Sequence, residues 1–179
     1  MFTQLAIPDV ILFVSERHLD SRGWFSEAYS ASRMDEQGFP RFVHDNESFS
    51  TAVGTVRGLH FQRPPYAQAK LVRCVTGAVL DVAVDLRRDS PMFGRHVCVR
   101  LDSDSGAQIY IPKGFAHGFC TLMPDTLVQY KVTAPYAPDH EGGVFWNDPS
   151  LGISWPVAAE KAILSDKDRA LPPLADARW

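Results

Sequence analysis

The sequence predicts an all-β fold, a sandwich or barrel of short strands, and three observations carry that expectation. Segments with apolar–polar alternation recur along the chain, each only a few residues long. Thirteen prolines and twelve glycines among 179 residues punctuate them, which suits turns between strands and breaks up long helices. Between residues 54 and 86 three strand patterns follow one another, separated by Pro64-Pro65 and by Thr76-Gly77.

Taken in order, residues 9–14 (DVILFV) form the first strand pattern, and Asp20-Ser21-Arg22-Gly23 is a turn leading into 24–29. Residues 30–37 (SASRMDEQ) have a serine suited to an N-cap and end at Gly38, the signature of a short helix. Residues 42–50 (FVHDNESFS) alternate so that His44, Asn46 and Ser48 share a face. In 56–62 (VRGLHFQ), Gly58, His60 and Gln62 point to one side, Leu59 and Phe61 to the other. Residues 68–75 form the next strand. In 77–86 the residues Ala78, Leu80, Val82, Val84 and Leu86 oppose Asp81 and Asp85. Further strands are expected at 93–101, 108–111, 118–122 and 126–133, and 157–164 (VAAEKAIL) can make one or two helical turns. No repeat, low-complexity tract or linker divides the chain, so residues 1–179 are expected to form one domain.

Composition excludes several classes. A formal charge of −3 lacks the basic footprint of nucleic-acid binding. No apolar run approaches the ~20 residues that span a bilayer, and the N-terminus lacks a leader pattern. Cys74, Cys98 and Cys120 are odd in number and widely spaced, which fits small buried hydrophobes in a reducing compartment better than a disulfide or zinc site. A cytoplasmic protein is expected.

The chemistry concentrates in residues 54–86. With 56–62 and 68–75 as neighbouring strands, Lys70 returns beside His60, and Arg57 and Arg73 add charge to the same wall. A cationic wall in a slightly acidic chain points to an anionic ligand, and a histidine there can move a proton near neutrality.

Two local patterns narrow the fold. Pro112, Gly114 and His117 are spaced P-x-G-x-x-H after a strand, which resembles the second signature of the cupin superfamily, whose barrels are jelly rolls. The first cupin signature, H-x-H followed by glutamate, here reads His60-Phe61-Gln62, with Gln68 and Lys70 where the glutamate would stand. A lysine ammonium has no lone pair for a metal and repels a cation. The fold signal survives while the metal site does not, so no metal and no cofactor are expected.

Across nearly its whole length the chain resembles the dTDP-4-dehydrorhamnose 3,5-epimerase family, cofactor-free enzymes of deoxysugar-nucleotide pathways. The resemblance is carried, in order, by DSRGWFSE (20–27), DNESFS (45–50), VRGLHFQ (56–62), QAKLVRCVTG (68–77), DVAVDLRRDSPMFG (81–94), IPKGFAHGF (111–119), YKVTAPY (130–136), EGGVFWNDPSLGISWP (141–156) and LSDKD (164–168). It implies a nucleotide-linked 4-keto-6-deoxyhexose as substrate, epimerised at C3, C5 or both through an enolate. Such chemistry needs a base on one face, an acid on the other and a donor for the enolate oxygen. By resemblance His60 is the base, Asp168 the carboxylate that orients it, Lys70 the group that holds the enolate oxygen, and Tyr130 the acid. Arg57, Lys70 and His117 resemble residues that face the diphosphate. Arg22, Glu27, Asn46, Glu141 and Lys167 match substrate-binding positions, and Tyr136 matches the aromatic that stacks on the base. His44 stands where the family often has glutamine, and an imidazole cannot present an amide's donor and acceptor together, which bears on selectivity for thymine. The family's habit of exchanging strands implies a homodimer, with Arg22 and Glu27 reaching the partner's site.

Three alternatives remain at this point. One is a C3-only epimerase on a related sugar nucleotide. Another is a metal-dependent cupin enzyme using His60, Gln62 and His117. The third is a sugar- or nucleotide-binding cupin without a base–acid pair, which the presence of both His60 and Tyr130 disfavours.

Overall fold

Two antiparallel sheets face each other in the computed structural model, which describes residues 2–179. The first has six strands in the order β1 (Phe2–Gln4), β2 (Ile11–Val14), β10 (Ala107–Ile111), β7 (Lys70–Thr76), β12 (Thr126–Val132) and β5 (His44–Ser50). The second runs β13 (Glu141–Gly143), β6 (Val56–Gln62), β11 (Phe115–Thr121), β8 (Ala78–Asp85) and β9 (His96–Asp102). A separate hairpin pairs β3 (His18–Asp20) with β4 (Gly23–Phe25). Only two short α-helices occur among the described residues, α1 (Ala31–Glu36) and α2 (Asp166–Arg169). The result is a jelly roll, and among the described residues no helix is long and apolar enough to cross a membrane.

Alternation along the strands decides what lies inside. Val72 and Cys74 of β7, Val79 and Ala83 of β8, Phe115 and Phe119 of β11, and Val128 of β12 meet in one buried cluster between the sheets. The same parity carries Lys70, Asp81, His117 and Tyr130 toward that interior. The other face of the second sheet is apolar as well: Leu59, Phe61, Val82, Val84, Leu86 and Ala116 pack under Val144, Leu151 and Ala177 of the C-terminal segment. This explains why β8 and β11 read as almost continuous buried runs while β5, with one wetted face, alternates.

Most expected elements appear with ends shifted by a few residues. Four short ones, β1, β3, β13 and α2, were not expected. β11 starts at Phe115 rather than 118, because the turn closes at Lys113-Gly114. Residues 157–164 form only a 3-10 turn at Ala159–Lys161. The Ile163 amide donates to the Gly54 carbonyl (3.0 Å) and its carbonyl accepts from Val56 (2.9 Å), so this backbone is committed to a sheet edge and not to a helix. Cys98 is exposed, contrary to expectation, because on β9 it alternates with the inward Val97.

The close approach of β6 and β11 sets the site's frame. Their register shifts between His117 and Phe119. A Cβ added at Gly118 would lie 2.6 Å from the Arg57 carbonyl oxygen and 3.1 Å from Gly58 Cα, both backbone atoms that cannot swing away. Gly118→Ala should therefore destabilise the protein by about 2 kcal/mol or more, in the range of core overpacking. Urea denaturation checks this, and an unchanged midpoint would mean that the two strands separate freely.

Candidate active site

The cavity that collects the titratable residues opens between the sheets and has a volume of about 150 Å³. His60, Phe61 and Gln62 of β6 and Glu141 of β13 supply one wall; Lys70 of β7, Tyr130 of β12 and His44 and Asn46 of β5 supply the other. Gln68 and Tyr136 complete the lining. A larger cavity of about 390 Å³ beside Phe61, Leu86 and Trp179 is lined by no histidine or carboxylate, so chemistry and not size selects the site.

His60 is held by the C-terminal segment. Its Nε2 lies 2.6 Å from Asp168 Oδ1, and Asp168 is only 4% exposed. Asp168 sits in the first turn of α2, where its amide donates to the Ser165 cap (3.1 Å), while its Oδ2 accepts from Gly58 N (3.4 Å). Burial raises the Asp168 pKa, but the hydrogen bond and charge of His60 and the amide of Gly58 outweigh it and hold the carboxyl below the ordinary aspartate value. An ionised carboxylate can only accept, so Nε2 carries a proton, and in the neutral imidazole Nδ1 carries the lone pair.

Lys70 is 8% exposed and its Nζ donates one long hydrogen bond, 3.4 Å, to the His60 carbonyl. Burial pulls its pKa down to about 8 against the charges of Asp81 and Glu141, so the ammonium persists at neutral pH. Tyr130, opposite Asn46 on β5 and Val72 on β7, has its phenol pushed up by burial, with Arg57 opposing and Glu141 adding. It is a protonated donor at neutral pH.

At the rim Glu141 accepts from Tyr136 Oη (2.8 Å) and pairs with Lys167 (2.6 Å). Burial raises the Glu141 pKa, but those two partners bring it below the ordinary value. Gln62 donates to the carbonyls of Tyr66 (2.8 Å) and Pro135 (3.0 Å) and accepts from Ala137 N (2.8 Å), which fixes the loop carrying Tyr136.

Several expected site residues lie elsewhere. His117 is buried within the barrel, bonded through Nε2 to Asp81 (2.9 Å), and does not line the cavity. Arg57 donates to the Phe49 carbonyl (2.8 Å) and Ser50 Oγ (3.2 Å) and does not line the cavity. Arg22 pairs with Asp20 in the exposed hairpin, and Glu27 pairs with Arg33. Neither touches the cavity of its own chain. Asp81 was missed, although a carboxylate between Val79 and Ala83 on a buried strand face was a readable signal.

A carboxylate-backed imidazole on one wall, facing a wall that carries a protonated phenol and an ammonium, suits proton transfer, and this cupin-type jelly roll is an isomerase. Residues 4–176 match the sequence family described as dTDP-4-dehydrorhamnose 3,5-epimerase, and the chain belongs to that family. It is 50% identical to the dTDP-4-dehydrorhamnose 3,5-epimerase of Pseudomonas aeruginosa over 177 residues, 98% of this chain and 96% of the other. The fold is similar to that of the Bacillus anthracis enzyme solved with TDP and PPi bound (TM-score 0.93, 47% identity, covering 97% and 98% of the two chains). It is equally similar to a dTDP-6-deoxy-D-glucose-3,5-epimerase from Legionella pneumophila in complex with dTDP-4-keto-L-rhamnose (TM-score 0.93, 41% identity, covering 98% and 93%).

Because the folded Asp168 pKa is depressed, its contribution to stability is present above the unfolded value of about 3.8 and is lost as pH falls through the lower folded value. Asp168→Asn should flatten the acid limb of a stability–pH curve measured by thermal melting. An acid limb identical to the wild type's would mean that Asp168 does not titrate with folding.

Proposed function

We propose that the cavity epimerises dTDP-4-dehydro-6-deoxy-D-glucose at C3 and C5 to dTDP-4-dehydro-L-rhamnose. The observation that carries this reading is that base and acid stand on opposite sheets, His60 on β6 and Tyr130 on β12. His60 Nδ1 takes the proton α to the ketone, and Asp168 stabilises the imidazolium that forms. Lys70 receives the enolate oxygen, where an ammonium away from water acts strongly. Tyr130 returns a proton to the opposite face, which inverts the carbon. The sugar nucleotide bound in the Legionella relative supports this substrate.

For the nucleotide, Tyr136, 60% exposed at the rim, offers a stacking face for the base. Arg57 and Lys167 carry charge toward the diphosphate, with Glu141 setting Lys167 and Tyr136 in place. Asn46 and His44 offer polar edges from β5. His117 acts from behind the wall. No metal or organic cofactor is required in this scheme: the first-signature histidine gives Nε2 to Asp168, His117 gives Nε2 to Asp81, and Lys70 is an ammonium. The two sheets share one interior and the C-terminal segment covers the outer face of the second, which supports a single cupin-like domain. The three cysteines are free, consistent with work in the reducing cytoplasm.

In D₂O, with the 4-keto-6-deoxyglucose nucleotide followed by NMR, His60→Ala should abolish deuterium exchange at C3 and C5, a loss of about 10²–10⁴-fold or more for a general base. Tyr130→Phe should retain some exchange while blocking net epimerisation. Wild-type exchange in His60→Ala would refute the base assignment, and exchange confined to C3 in the wild type would make the chain a C3-only epimerase.

The same reading includes a homodimer. The β3–β4 hairpin leaves Leu19 83%, Trp24 56% and Phe25 70% exposed, an apolar patch that a partner would cover while Arg22 and Glu27 enter its site. Sedimentation at micromolar concentration should give a dimer, and Arg22→Ala should raise KM. A fully active monomer would end this part of the proposal.

A further inference from the structure

Asp81 is completely buried, and its two oxygens are treated differently. Oδ2 accepts from His117 Nε2 at 2.9 Å, while Oδ1 has no hydrogen-bond partner. An unsatisfied carboxylate oxygen inside a barrel is costly and calls for a reason. Asp85, equally buried on the same strand, shows the ordinary solution: Arg87, Ser90 and a backbone amide satisfy it. Asp81 has only an imidazole.

We propose that Asp81 is a positioning residue for the reaction, the counter-ion that keeps Lys70 an ammonium inside the barrel, with His117 fixing the orientation of the carboxylate. The inference rests on the reading of Lys70 given above. Strand parity supports it: Lys70 stands with Val72 and Cys74 on the inner face of β7, Asp81 with Val79 and Ala83 on the inner face of β8, and these neighbours meet in one cluster. The titratable groups around Lys70 come from His44 on β5, His60 on β6, Asp81 on β8, His117 on β11, Tyr130 on β12 and Glu141 on β13. Two of these are anionic. Glu141 is already paired with Lys167 at 2.6 Å and accepts from Tyr136, at the wetter rim. Asp81 has no such cation. Burial lowers the His117 pKa despite Asp81, so His117 is a neutral donor and leaves the Asp81 charge uncompensated except by Lys70.

The sign of the test follows. Burial drives Lys70 toward the neutral amine and Asp81 opposes it, so loss of the Asp81 charge lets the ammonium lose its proton at a lower pH. The probe is ε-13C-lysine NMR, with the Lys70 resonance assigned by its loss in Lys70→Arg; the chain has five lysines. Wild-type Lys70 should titrate near 8. In Asp81→Asn, which retains an acceptor for His117, and in the smaller Asp81→Ser, the midpoint should fall by about one pH unit or more, and Asp81→Glu should restore it. The alkaline limb of kcat/KM should move down in step, with activity at lower pH much less affected. An unmoved Lys70 midpoint in a folded neutral variant overturns the proposal, as does a wild-type Lys70 that titrates like an exposed lysine. Should neither neutral variant fold, Glu141→Gln decides: a Lys70 already deprotonated by pH 7 makes Glu141 the counter-ion and overturns the proposal, and a midpoint still near 8 supports it. Because the NMR titration needs no turnover, failure of the sugar substrate and failure of this inference are distinguishable.

Discussion

A cation enclosed in an apolar barrel is the constraint on which the rest of this structure depends. Lys70 sits at the end of a strand whose next inward residues, Val72 and Cys74, belong to the core. A buried ammonium is unstable without nearby negative charge, and it is catalytically useful because water does not screen it. The fold answers with two carboxylates at different depths, Asp81 within and Glu141 at the rim. Each is held by a neutral hydrogen-bond donor, His117 for Asp81 and Tyr136 for Glu141. The polar groups inside the barrel thus lie close enough to act on one another's charge.

The His60 imidazole depends on a different device. The second sheet is apolar on both faces, so a segment must cover its outer side, and residues from Val144 to Ala177 do so. That cover brings α2 against β6 and delivers Asp168 to His60 across more than a hundred residues of sequence. Core packing and the His60–Asp168 geometry therefore share one origin. If the cover separated from Leu59 and Phe61, His60 would lose the carboxylate that fixes its tautomer.

Much of this was legible in the sequence because strand alternation records burial. The face shared by Gly58, His60 and Gln62, the opposed face of Leu59 and Phe61, and the row His44–Asn46–Ser48 all read directly from a period of two. Three-residue strands carry too little pattern, so β1, β3 and β13 were invisible. The 157–164 segment misled because its alanines and glutamate favour a helix, whereas pairing of Ile163 with the 54–56 edge won. His117 could be recognised as important but not placed, since a motif does not say which side of a wall an imidazole faces. Asp168 was reachable only through resemblance, because nothing local marks a carboxylate whose partner lies on a distant strand.

The geometry also bears on why one site can serve two carbons. In a 4-keto sugar, C3 and C5 flank the same carbonyl, and the enolates formed by removing either proton place their charge on the same oxygen. A single ammonium at that oxygen stabilises both without moving. In the proposed scheme a base and an acid need only face each other across the ring, and His60 on β6 and Tyr130 on β12 stand on opposite sheets. Inversion at either carbon then draws on one proton acceptor, one donor and one cation. In the proposed scheme, whether the second carbon reacts depends on how the sugar presents C5 to the same pair. His44, Asn46, Tyr136 and Glu141 line the cavity beside His60, Lys70 and Tyr130, with Lys167 paired to Glu141, so the proposed nucleotide anchors and the proposed proton-transfer groups share one edge.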